Sequence, residues 1–150
     1  MLDRVQSSVL RQLFQYWDEK RGHRSAPSRE NIDPAQMVEF LSNVFLIDVE
    51  EEPRRYRVRL MGTALDHWYG RDLTGCHVDE ITDQVLAALD ELVMTWEPWL
   101  VTGEYVKKTG RAIVYELLAL PMSSDGATVN MILGGVAQVP LNKRDRTVRL

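Results

Sequence analysis

Val9, Leu10, Leu13, Phe14 and Trp17 recur at helical spacing behind Ser7 and Ser8, either of which suits an N-cap, and they predict an amphipathic helix that Gly22 ends. From His23 to Asn31 the chain is polar and has no hydrophobic period, which reads as a loop. Asp33-Pro34 then starts a second helix, with Pro34 in its first position and Met37, Val38, Phe40 and Leu41 as its buried residues. Asn43 to Glu50 is apolar on both faces until Asp48, the pattern of a strand inside a sheet. Glu50 to Pro53 make a solvated turn. In the next strand Tyr56, Val58 and Leu60 alternate with Arg55, Arg57 and Arg59, so one face is buried and one is wet, which suits an edge.

Gly62 breaks that strand, and Thr63 caps a short helix carrying Leu65, Trp68 and Tyr69 on one side. Gly70 and Gly75 bracket a turn. Ile81, Val85, Leu86, Leu89, Leu92, Val93 and Trp96 keep a 3.6-residue period through a long helix that Pro98 ends. Leu100 to Lys107 is a mixed strand, Arg111 to Pro121 an apolar one, and a Ser-Asp-Gly turn leads into a last apolar strand, Val129 to Val139. Strands one, four and five are thus apolar on both faces and belong in the interior; two and three belong at the edges. There is no internal repeat and no low-complexity segment.

The run Arg55 to Gly75, RYRVRLMGTALDHWYGRDLTG, joins a strand, a short helix and a loop in which Gly70, Leu73 and Gly75 are fixed points, and in this it resembles a PAS domain. The upstream tract from Tyr16 and Trp17 through Arg21, Gly22, Arg24, Pro27, Ser28, Arg29, Ile32, Asp33 and Pro34 is similar to a bacterial PAS subfamily of small proteins, and the likeness spans about Leu13 to Val139. The resemblance implies an α+β fold. Its five antiparallel strands would lie in the order 2-1-5-4-3, with helices on one face. An N-terminal helical extension over 1–41, a PAS core over 43–139 and a charged, poorly ordered tail over 140–150 complete the expected layout.

A length of 150 residues suits one domain with a sizeable core. Cys76 is the sole cysteine, so no intrachain disulfide forms, and a reducing, cytoplasmic setting is expected. The first residues, MLDRVQSS, lack the apolar run of a signal peptide, and no stretch of about 18 apolar residues occurs, so no membrane partner is expected. The formal net charge of -4 argues against a nucleic-acid partner. Positive charge is local, at Arg54, Arg55, Arg57 and Arg59 and at Lys143, Arg144, Arg146 and Arg149. The arginines of the second strand either protect an edge or meet an acidic partner or anionic ligand.

Neither a nucleophile elbow, a zinc-protease motif, a phosphate loop nor a dinucleotide fingerprint is present, and an enzyme is not expected. His23, His67 and His77 are far apart in sequence. PAS domains that bind haem use one axial histidine, which makes His67 and His77 the candidates, but a half-exposed helical histidine and a loop histidine are the plainer readings. Flavin photosensors of the family carry an Asn-Cys-Arg-Phe-Leu-Gln run that the surroundings of Cys76 lack. Asp66, Asp72 and Asp79 read as caps and solvated residues. No haem, flavin or metal cofactor is expected.

Two functions remain open. One is an interaction module with a filled core that homodimerises through Leu10, Leu13, Phe14 and Trp17 of the first helix and docks on a signalling protein. The other is a sensor that takes a small apolar or amphipathic ligand between the sheet and the helices Thr63 to Gly70 and Thr82 to Trp96. Such a pocket is expected to be lined by Phe45 or Ile47, Leu65, Trp68, Tyr69, Leu89, Leu118 and Leu133, with Trp96 and Trp99 nearby. The 150 residues carry no kinase, cyclase or DNA-binding segment, so a signal is expected to leave by noncovalent contact. That favours the interaction module.

Overall fold

Strands that are apolar on both faces need cover on both, and this requirement organises the computed structural model, which describes residues 2–106, 109–140 and 147–149. The strands β1 (Val44–Glu50), β2 (Arg55–Met61), β3 (Trp99–Val106), β4 (Ala112–Met122), β5 (Met131–Val139) and β6 (Thr147–Arg149) form one sheet in the order β2-β1-β5-β4-β3-β6. The expected order 2-1-5-4-3 is present, and the two-sided strands β1, β5 and β4 are interior. β6 extends it by pairing antiparallel with Trp99 to Val101. A free strand edge exposes unpaired N–H and C=O groups, and three residues of the tail cover the Trp99 to Val101 part of the β3 edge. The remaining tail residues, 141–146 and 150, and Lys107 of the expected third strand lie outside the described residues.

The helices are α1 (Ser8–Arg21), the expected N-terminal amphipathic helix, α2 (Thr63–Tyr69) and α3 (Leu86–Thr95), and α1 and α3 cover opposite faces of the sheet. α1 packs on one side, where Leu10, Leu13, Phe14 and Trp17 meet Val44, Leu46, Leu118, Leu120, Met122 and Leu133. α3 packs on the other, with Leu89, Leu92 and Val93 against Ile47, Tyr56, Val58, Ala119 and Ile132. Two-sided strands with helices on one face only would leave a hydrophobic face in water.

Two buried polar contacts fix α1. The Trp17 indole Nε1 donates to the Pro121 carbonyl at 2.8 Å. At the other end the Glu116 carboxylate of β4, 1% exposed, accepts from the Gln6 amide at 2.9 Å and the Ser7 amide at 2.8 Å. Ser7 itself caps the helix, its Oγ accepting from Leu10 N–H. The four apolar residues expected to form a dimer surface are therefore between 0 and 5% exposed within their own chain, packed on its sheet. A second copy finds none of them on the surface.

Gly134 and Gly135 let both layers approach. The side chain of Phe45 and the Leu118 carbonyl occupy the place a Cβ at Gly134 would take, and a Cβ at Gly135 would lie 2.8 Å from Leu10 Cδ2 and 3.0 Å from Leu13 Cδ2. The expected second helix is instead a pair of short 3-10 turns, Pro34–Met37 and Leu41–Asn43. Met37 and Phe40, three residues apart, share the buried side of a three-residue period, whereas Val38 is 71% exposed. α3 is also shorter than expected. It follows a 3-10 turn, Val78–Glu80, and stops where Trp96 adopts a left-handed conformation and donates its N–H to Leu92 O at 2.8 Å.

Candidate functional site

Side-chain alternation divides the expected pocket residues among three places. Phe45, Ile47 and Leu89 face the α3 side of the sheet. Leu118 and Leu133 face the opposite way, into the α1-side core; Leu117, Ala119 and Ile132 take the places on the α3 side. Leu65 is buried at 1% exposure on α2, which packs against the Leu41–Asn43 turn, while Trp68 is half-buried and Tyr69 exposed. β1, β4 and β5 are apolar on both faces over most of their length, so the apolar residues themselves carry no mark of parity in the sequence.

Two aromatic rings of the sheet lie on the α3-side face, each over a glycine. Phe45 lies over Gly134, and Tyr115, on the same face by alternation with Leu117, lies over Gly103. Around its buried centre, Phe45, Val49, Met61, Ile81, Val85, Leu86, Trp96, Trp99 and Leu117 remain partly exposed. Tyr56 joins β2 to α3 through a short hydrogen bond from its hydroxyl to the Asp90 carboxylate. Burial, and then this carboxylate, push the Tyr56 phenol above its ordinary range.

A β-bulge re-aims the end of β2. Leu46 pairs with Leu60 and Ile47 with Val58, leaving Arg59 as the extra residue. Met61 consequently enters the α3-side core, and Leu60, expected on the buried face with Tyr56 and Val58, is 40% exposed. The strand's arginines pair along the edge: Arg59 with Asp48 at 3.2 Å, Arg57 with Glu50 at 2.8 Å and Arg55 with Asp79 at 2.9 Å. The glycine loop closes over the same edge. Gly75 N–H donates to Val58 O, and Val58 N–H to Cys76 O. His77, which follows, is buried with Nε2 at 2.7 Å from Glu50 and Nδ1 at 3.1 Å from Glu80. Arg57, and then His77, hold the Glu50 carboxyl below its usual range; the His77 backbone N–H does the same first for Glu80, and Arg55 for Asp79. Sequence reading missed this cluster because Glu50 lies 27 residues from His77.

A cleft of about 490 Å³ opens between the loop of His23, Arg24, Ser25 and Ser28, the turn Ser123 to Gly126, and Trp96. Its polar groups are largely engaged: Asp125 accepts from the Ala127 and Thr128 amides, and Arg24 donates to Lys20 O, Arg21 O and Asn31.

The strand order, the two cores and the loop closing on β2 define a PAS-type sheet scaffold, and comparison with known proteins agrees. A family model described as PAS domain matches residues 5–137, and the chain belongs to that family. Among solved structures, a light-oxygen-voltage domain studied with a flavin analogue is similar at a TM-score of 0.56 and 12% identity, covering 72% of this chain and 84% of that one. The PAS domain of BvgS from Bordetella pertussis gives 0.53 at 16% identity, covering 73% and 88%. The light-oxygen-voltage protein of Rhodobacter sphaeroides gives 0.52 at 12% identity, covering 75% and 72%. At such identities the likeness shows the fold. No curated protein matches the chain in sequence.

The flavin analogue belongs to that light-oxygen-voltage domain. Cys76 lies in the loop along the outer edge of β2, and its backbone carbonyl is tied to Val58. The sequence around it, Gly75-Cys76-His77-Val78-Asp79, lacks the run that would hold the ring. His67 is exposed, and both nitrogens of His77 face carboxylates. No helix among the described residues is long and apolar enough to cross a membrane.

Proposed function

We propose that this PAS domain is a non-enzymatic signalling module that works through protein–protein contact, with the α3 side as its contacting surface. The observation that carries the reading is the pair of rings, Phe45 over Gly134 and Tyr115 over Gly103, occupying the space on the sheet that a ligand would need. The partly exposed apolar rim around them, with Met94 of α3 at 76% exposure, supplies surface for a partner. Self-association belongs to the same reading. With the apolar residues of α1 buried in their own core, it would use the α3 side.

Sedimentation velocity at tens of micromolar tests this. The wild type is expected to self-associate, Met94→Asp to shift it toward monomer, and Arg11→Asp on the exposed side of α1 to leave it unchanged. A monomeric wild type would remove the homodimer from the proposal. A second reading, small-ligand sensing, has one observation behind it, the cleft beside Trp96. A ligand would then sit between the His23 loop, the Ser123 turn and Trp96 at the end of α3, not between the sheet and the helices as expected.

A further inference from the structure

We propose, on the reading of the α3 side as a contact surface, that the outer ridge of α3 docks an amphipathic helical segment of a partner protein whose apolar residues are flanked by lysine or arginine. Ala87, Asp90, Glu91 and Met94 stand at i, i+3, i+4 and i+7 of the helix, the spacing of one face, and all four are exposed. Met94, at 76% exposure, is the apolar knob on this ridge. Leu86 at the start of the helix and Trp96 at its end stay partly exposed, so apolar surface continues at both ends of it. A second helix laid along such a ridge fits its side chains into the grooves beside it.

The charge of this surface selects among partners. Between Arg71 and Lys107 the sequence contains no lysine or arginine. The charged side chains that α3 itself carries, Asp90 and Glu91, are therefore both negative, and Asp83 and Glu97, exposed just before and after the helix, add to them. Asp90 also accepts from the Tyr56 hydroxyl. Arg54 and Arg55, which precede that tyrosine, are engaged by Glu51 at 3.1 Å and Asp79 at 2.9 Å. A nucleic acid or an anionic lipid surface is repelled by such a face, and an uncharged apolar segment would desolvate its acids with nothing in return. Lysine or arginine beside apolar residues meets both halves of the surface, and the Trp96 indole attracts a cation as well as an apolar side chain.

A second copy is the poorer fit to the ridge. Two α3 helices set against each other would bring Asp90 and Glu91 near their own counterparts, and like charges across an interface oppose association. Self-association over this side therefore strengthens as salt screens those charges, whereas docking of a basic segment weakens. The two uses of the surface respond to salt with opposite sign.

The test is fluorescence anisotropy, the full chain being titrated into a labelled peptide of leucine and lysine at helical spacing, about 15 residues long so that it can hold a helix. The same peptide with glutamate in place of lysine is the control. Saturable binding of the lysine peptide at about 10–100 μM is expected, weakening between about 50 and 200 mM salt. Met94→Asp should weaken it about tenfold although the substitution adds a negative charge. Glu91→Lys and Glu97→Lys should each weaken it by about two- to fivefold, and Glu19→Lys, exposed on α1, should leave it unchanged. Circular dichroism checks that each variant is folded, and if Met94→Asp is not, Glu97→Lys against Glu19→Lys decides. Binding that tightens in Met94→Asp would be bare charge attraction and would overturn the proposal. So would a loss in Glu19→Lys as large as that in Glu97→Lys, or no saturable binding of the lysine peptide below about 1 mM. If the glutamate peptide binds equally well and is weakened by Met94→Asp, the basic partner is refuted and the α3 side stands as a contact surface. If neither peptide binds and the wild type sediments as a monomer, both fall.

Discussion

The two faces of the same sheet are finished differently. On the α1 side Leu10, Leu13, Phe14 and Trp17 are closed over, and buried polar contacts to Glu116 and Pro121 pin both ends of the helix. On the α3 side the buried centre is ringed by half-exposed apolar residues, Trp96 and Trp99 among them, and Tyr56 ties the sheet to the helix through the exposed Asp90. A face closed and pinned by buried hydrogen bonds resists change; a face with a partly wet apolar rim can gain burial by meeting something else. Stability is thus concentrated on one side and opportunity for contact on the other.

That contrast is open to attack by mutation. The largest loss is expected from Trp17→Ala, which removes a fully buried indole and strands the Pro121 carbonyl; about 3–5 kcal/mol should disappear in urea unfolding. Glu116→Ala leaves the Gln6 and Ser7 amides without their acceptor and should cost about 1–3 kcal/mol, with hydrogen exchange rising first at the N-terminal turn of α1. Phe45→Ala sharpens the comparison. Because Phe45 is only partly buried, its removal should cost less than that of Trp17, and a loss as large as that of Trp17→Ala would show that the α3 side is as closed as the other. Arg59→Ala breaks a surface pair and should change stability by less than about 1 kcal/mol.

The smallest effect is expected from acid titration of a turn outside both cores. Thr128 and Ala127 amides, in that order, pull Asp125 from 3.8 to about 2. A depressed carboxyl stabilises the fold in its ionised form, so this contribution is complete above pH 3.8 and is lost as pH falls toward 2. Asp125→Asn should flatten that part of the acid limb in a pH series of melting temperatures.

The strand order was legible because it depends on which strands are apolar on both faces, a property of composition within each segment. Val44 to Val49 and Ile113 to Leu120 announce interior strands wherever their partners lie. Which parity faces which helix is a different kind of information. Leu118 and Leu133 carry no local mark of the side they take, and it is the pairing Leu118↔Gly135 together with the approach of Leu10 and Leu13 to Gly135 that sets it. The bulge at Arg59 was hidden for the same reason, since Arg55 to Leu60 alternate without a break. α1 reads as amphipathic, but amphipathicity alone leaves open whether its apolar stripe meets its own sheet or another chain. Glu116, a lone acid within an apolar strand, was the available clue that something with free N–H groups covers that face.

The central claim is that the α3-side core is filled by its own side chains and serves as a contact surface. Native mass spectrometry of the purified chain tests it most directly. The account predicts the mass of the bare polypeptide or of its oligomers, with no organic molecule retained. A stoichiometric organic adduct that is released on Phe45→Trp, a substitution that enlarges the ring over Gly134, would contradict it.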